Sequence, residues 1–116
     1  MLDVTTGGSN SALGGKAGTN ISGGNNNVCI GYEAGDTLTT GGNNTIIGTS
    51  ADVSASGAEK RIVIGVVSSN ASSDTTIYIG DNSNYLSYGY GSGGNVTITS
   101  DAVSYTHLTL PTIYSV

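Results

Sequence analysis

An apolar residue followed by glycine recurs along the chain at Leu13-Gly14, Ile30-Gly31, Ile47-Gly48, Ile64-Gly65 and Ile79-Gly80, with spacings of 17, 17, 17 and 15 residues. A fixed period of this kind is the mark of a stacked repeat. The surroundings repeat as well. Glycine pairs (Gly7-Gly8, Gly23-Gly24, Gly41-Gly42) precede the step, asparagines (25–27 and 43–44) follow two of those pairs, and Ala17, Ala34 and Ala51 lie three residues past an anchor glycine. At about 3.3 Å per extended residue one period has a contour of roughly 56 Å, enough for two or three short strands with tight corners and too little for a βαβ unit. The period therefore predicts an all-β parallel solenoid of about 17-residue coils over residues 7–82, with residues 1–6 as a lead-in.

Strand alternation puts the residues one and three before each anchor glycine on one face. This reading points Val28 and Ile30, Ile62 and Ile64, and Ile77 and Ile79 inward. The residue two before the anchor (Ala12, Cys29, Ile46, Val63, Tyr78) is then on the outer face, where an apolar strand needs cover. A second copy of the solenoid is the simplest cover, so Ile46 and Val63 are expected as an exposed interface stripe. Glycine and asparagine tolerate positive φ, which assigns the Gly-Gly-Asn-Asn segments to corners. The segment 57–61 lacks the asparagine pair and is expected to be a wider loop.

Composition supports a thin core. The 116 residues include 19 Gly, no Trp or Phe and a single Cys, too little bulk for a thick layered interior and too few thiols for a disulfide framework. Lys16, Lys60 and Arg61 are the only cations against eight acidic residues, so no basic stripe suits nucleic acid. No apolar run approaches a membrane span, and the first residues do not read as a signal peptide. No Ser/His/Asp set, paired-carboxylate site or phosphate-cradling loop occurs in residues 1–102, and the expectation is a non-enzymatic segment without cofactor or metal.

Past Gly80 the pattern changes. Residues 83–90 and 95–99 alternate across a Gly-Ser-Gly-Gly turn and predict a β-hairpin, so 83–102 is read as a cap and junction. Asp81, Asn82 and Asn84 fit turn capping better than calcium ligation. Tyr85, Tyr88 and Tyr90 fit packing of an axis better than a stacking platform for host sugars, and Cys29, without a basic neighbour in sequence, fits a packed thiol.

The G-x-N-N-x-x-I-G units with a trailing Ala, over residues 7–82, resemble the left-handed parallel β-roll of trimeric adhesin heads and the same repeats in bacteriophage tail fibres and spikes. That resemblance implies a homotrimer, a structural role in host attachment, a virion location and contact with a host-surface polysaccharide or protein. The alternative is the head of a bacterial trimeric autotransporter adhesin at the cell surface. The coils here are longer than in many such heads.

Residues 103–116 hold the only His and the only Pro and ignore the period. They resemble the translation of a transposase-type sequencing adapter, which implies that the natural chain continues differently after Ala102. The preceding Val96-Thr97-Ile98-Thr99-Ser100-Asp101 resembles the junction before the endosialidase-type intramolecular chaperone, a self-cleaving domain of phage tail spikes. In that family the junction reads S-D-x-R-x-K and is cut before the Ser. Ser100 and Asp101 match; the Arg and Lys positions hold Val103 and Tyr105, so this chain as written lacks the assisting Lys.

Overall fold

The structure, a computed structural model, describes residues 7–67, 71 and 73–89. Those residues form one six-stranded sheet whose spatial order follows the chain: β1 (Ser11–Leu13), β2 (Val28–Ile30), β3 (Thr45–Ile47), β4 (Ile62–Val66), β5 (Thr76–Asp81) and β6 (Tyr85–Gly89). The first four pairings are parallel and in step with the repeat: Ala12, Cys29, Ile46, Val63 and Tyr78 form one row, and Leu13, Ile30, Ile47, Ile64 and Ile79 the next. Parallel neighbours separated by one period, with no helix among the described residues, make a β-solenoid, as the period predicts.

The anchor glycines stand above one another. Gly14, Gly31, Gly48, Gly65 and Gly80 have φ between 114° and 138°, and a Cβ built on each of the first four meets the backbone of the next, as on Gly14, where it would lie 2.6 Å from the Gly31 oxygen. Only glycine combines that φ with that approach. A second left-handed column holds Ser9, Asn26, Asn43, Lys60 and Thr75, all with φ between 55° and 60°. Lys60 therefore turns the chain as Asn43 does. Its N–H donates to Gly42 O at 3.0 Å, matching Asn43 N–H on Asn25 O at 3.0 Å. The wider loop expected at 57–61 is thus corrected: the corner has the common geometry without the asparagine pair.

The facing of the strands is the reverse of the sequence expectation. Cys29, Ile46 and Val63 are fully buried and Tyr78 is 3% exposed, whereas Ile30 and Ile64 are 37% exposed, Ile79 43% and Leu13 69%. The physical reason lies four residues before each anchor. Asn10, Asn27 and Asn44 are not corner residues; they turn inward, and alternation carries the residue two further on inward with them. Reading Asn27 and Asn44 as part of the corners leaves their inward facing out of the count and shifts the parity by one, and a one-residue slip exchanges the two faces of a strand.

Inside, Asn27 Oδ1 accepts from the backbone N–H and the side-chain Nδ2 of Asn44, each at 3.0 Å, and Asn10 Oδ1 accepts from Asn27 in the same way at 2.9 and 3.0 Å. The remaining amide protons go to Gly24, Gly41 and Ala58 carbonyls at 2.7–2.9 Å. Each rung satisfies the next, which is what permits buried amides in an otherwise apolar interior. Around this ladder pack Ala17, Ala34 and Ala51, then Ile21 and Leu38, all buried.

Arg61 is the fourth rung. Its N–H takes Asn44 Oδ1 at 3.0 Å, but arginine offers no side-chain acceptor to the next coil. The guanidinium, 4% exposed, instead contacts Asp74 Oδ1 through Nε at 2.8 Å and Nη2 at 2.7 Å, and Nη1 donates to Ala71 O. Ala71 and Asp74 belong to the next coil, the one with 15 residues between its anchors Gly65 and Gly80. Val67 takes the carbonyl role that Ala34 and Ala51 fill in the preceding coils, accepting from Asp52 N–H at 2.9 Å.

Candidate functional site

With the interior filled, what remains unsatisfied is the outer sheet face. The residues before the anchors, Leu13, Ile30, Ile47, Ile64 and Ile79, form a continuous apolar column there. Beside it runs a second column, Val28, Thr45, Ile62 and Ile77, of intermediate burial. Val66 on β4 and Leu86 on β6 add exposed apolar surface. β-branched residues at one rung per about 4.8 Å give a flat, ridged apolar surface. A contiguous exposed patch of this kind marks an interaction surface.

Charge lies at the corner beyond the anchors. Lys16 Nζ contacts Glu33 Oε1 at 3.0 Å and sits 5.7 Å from the Tyr32 ring centroid. Hydrogen bonding to Glu33 raises the lysine pKa, and the bond from Lys16 lowers that of Glu33. The pair is exposed and contributes little to stability. It places one aromatic ring and both signs of charge beside the apolar face.

The residues singled out in the sequence distribute as follows. Gly14, Gly31, Gly48, Gly65 and Gly80 form the single column described above. Tyr85 is exposed and lies 6.2 Å from Tyr78, ring to ring, while Tyr88 is opposite Ile77 in register. The two tyrosines belong to β6, which pairs antiparallel with β5 across the turn at 82–84. Of the hairpin anticipated between 83–90 and 95–99, residues 85–89 form a strand whose described partner is β5. The second strand of that hairpin, Tyr90, Ser100, Asp101 and residues 103–116 lie outside the described residues. Asp81 caps the 82–84 turn, its Oδ1 accepting from Ser83 and Asn84 N–H at 2.7 Å each. Cys29 is a buried thiol whose pKa burial pushes up to about 11, with the Asp52 charge adding to the effect.

Sequence reasoning missed Arg61 and Asp52 as interior polar groups. Asp52 Oδ2 accepts from Thr37 N–H and Oδ1 from Val53 N–H, both at 2.8 Å, and burial raises its pKa. The available signal was register: Arg61 lies 17 residues after Asn44, and Asp52 lies 17 after Gly35.

Among the described residues no group of three His, Cys, Asp or Glu is placed to hold a metal ion, and no helix is long and apolar enough to cross a membrane. Compared with protein families, with curated proteins and with solved structures, the chain matches none of them.

Proposed function

We propose that this chain is a shaft segment of a homotrimeric bacteriophage tail fibre or spike, serving host attachment mechanically rather than by catalysis. One observation carries the reading: the solenoid fills its interior with the row Cys29, Ile46, Val63, Tyr78 and the asparagine ladder, yet keeps a full apolar column on the outside of the same strands. A column with Leu13, Ile30, Ile64 and Ile79 exposed and Ile47 half-buried among them is stable in water when the columns of neighbouring copies cover it. In this reading the interface lies on the residues before the anchors, not on the buried Ile46 and Val63. The resemblance of the repeats to tail-fibre and adhesin-head sequences supports three copies and a virion location, with a host polysaccharide or protein as the object of attachment.

In this reading the parent protein continues after Ala102 into a self-cleaving chaperone, with Ser100 as the first residue of the released part. Sedimentation of the natural-length chain tests the assembly: a trimer is expected, and Ile30→Lys with Ile64→Lys should give folded single chains. A monomeric natural-length chain, or a trimer indifferent to both lysines, refutes the proposed interface. Mass spectrometry of the same chain tests cleavage before Ser100 separately.

A further inference from the structure

We propose that β6 is a strap that denies the β5 edge to the β1 edge of a second copy, so that the solenoid does not grow head to tail. This goes beyond the lateral association above and concerns the strands β1 and β5 at either side of the described parallel stack. Ser11 N–H donates to Asn27 O, and Leu13 O accepts from Gly31 N–H, each at 2.8 Å. Both residues thus spend their backbone groups on the second coil. Alternation in a parallel strand then turns the N–H and C=O of Ala12 to the other side, and among the described residues β1 is the outer strand there.

At the opposite end the parity is the same. Ile77 and Ile79 share the register of Ser11 and Leu13 and direct their backbone groups away from β4. Those groups face β6, with Ile77 opposite Tyr88 and Ile79 opposite Leu86, and the next residue of that parity confirms the direction: Asp81 N–H donates to Asn84 O at 2.9 Å.

The two ends match as successive coils do. Cys29 meets Ser11 and Leu13 within the chain; a second copy's Ala12 would meet Ile77 and Ile79 in the same way. Its small side chain suits the neighbouring Tyr78 ring at the end of the core, and Gly14, with φ 131°, continues a column that ends at Gly80, with φ 138°. Such a contact is heterologous and does not close, so it would propagate as a filament. β6 runs antiparallel and occupies the same donors and acceptors. The strand itself, Tyr85–Gly89, lacks the asparagine, small residue and glycine spacing of a coil, so it offers no matching rung to a further coil. A polar or irregular terminal unit of this kind is what keeps repeat proteins from associating end to end.

The test compares the 116-residue chain with one ended after Asp81, and with the shortened chain carrying Ala12→Pro, which removes the outward N–H while leaving the bonds of Ser11 and Leu13 in place. The shortened chain is expected to gain a scattering mass that rises with concentration and filaments with a reflection at about 4.8 Å along their axis. Ala12→Pro should abolish both. In the full chain Leu86→Pro, which removes the donor facing Ile79, should produce the same filaments more slowly. A shortened chain with the mass of its parent, an amorphous precipitate, or growth unaffected by Ala12→Pro overturns the proposal. Lateral assembly through Ile30 and Ile64 gives a fixed mass with or without β6, so its failure and this one are separately visible.

Discussion

Asn27 and Asn44 stand one coil apart, and the Oδ1 of the first receives both the backbone N–H and the Nδ2 of the second at 3.0 Å. Replacing the middle rung by alanine breaks three bonds at once: Asn27 Oδ1 loses the Nδ2 donor and keeps only the backbone N–H at position 44, Ala58 O loses Nδ2, and Arg61 N–H loses its acceptor. Leaving such groups buried without partners is expected to make Asn44→Ala less stable by roughly 2–4 kcal/mol. Urea unfolding followed by circular dichroism measures it. Asn25→Ala, exposed and outside the ladder, is the comparison and should cost well under half of that.

The anchor column gives a sharper contrast between two glycines. Gly48 has φ 137° and a built Cβ would overlap Gly65 O, so Gly48→Ala strains the chain and forces two coils apart, at about 3 kcal/mol or more. Gly57 lies at an exposed corner, where a Cβ meets nothing closer than Thr40 Oγ1 at 3.6 Å. Gly57→Ala should change stability by less than about 0.5 kcal/mol. Thermal unfolding of the two single variants distinguishes them.

Arg61 and Asp74 predict a dependence on acid. The Asp74 carboxylate accepts Glu59 N–H at 2.9 Å, and that bond, with help from Arg61, holds its pKa below the ordinary 3.8. A carboxyl depressed on folding contributes stability that is present above 3.8 and lost as pH falls through the lower folded value. Because Asp74 is half exposed while Arg61 is buried, Asp74→Asn should cost about 1–2 kcal/mol at neutral pH, less than a fully buried pair. The difference from the parent should shrink on acidification. Asp52 runs the other way: its pKa is raised by burial, so its charged form weakens the fold as pH rises above 3.8. A pH series of urea midpoints for the parent, Asp74→Asn and Asp52→Asn reads both signs.

Cys29 offers a probe of opening. A thiol buried in the row with Ile46, and with a pKa of about 11, has almost no thiolate at pH 8 and no path to a reagent. Labelling with an aromatic disulfide at pH 8 should be at least about a hundredfold slower than for the urea-unfolded chain. Rapid labelling in the native state would contradict the burial of this row.

The coil period, the glycine column and the parallel stacking were legible in the sequence because each depends on spacing, and spacing survives without coordinates. The facing of the strands was not. Both parities are apolar in Val28-Cys29-Ile30 and Thr45-Ile46-Ile47, so hydropathy alone does not choose between them. What chooses is Asn27 and Asn44, whose amides are commonest at turns and are tolerated inside only when a neighbouring coil supplies a matching amide. That match is a property of two coils together. The corner at Lys60 was misjudged for a related reason, since the stack imposes its left-handed φ on a residue that does not favour it locally. The candidate interface inherited the parity error, and its corrected form follows from burial.

The interior rungs have a consequence for heredity. Asn27 receives from Asn44 the same two bonds that it gives to Asn10, so a stretch of gene encoding one 17-residue period can be copied in tandem without breaking the ladder. Each copy lengthens the solenoid by about 4.8 Å, and recombination between near-identical coils adjusts that length in steps. Arg61 sets where such copying can be inherited: a duplicate of its coil would place an arginine, which has no acceptor to hand on, beneath a rung that needs one. Growth by duplication is thereby confined to the coils that precede it.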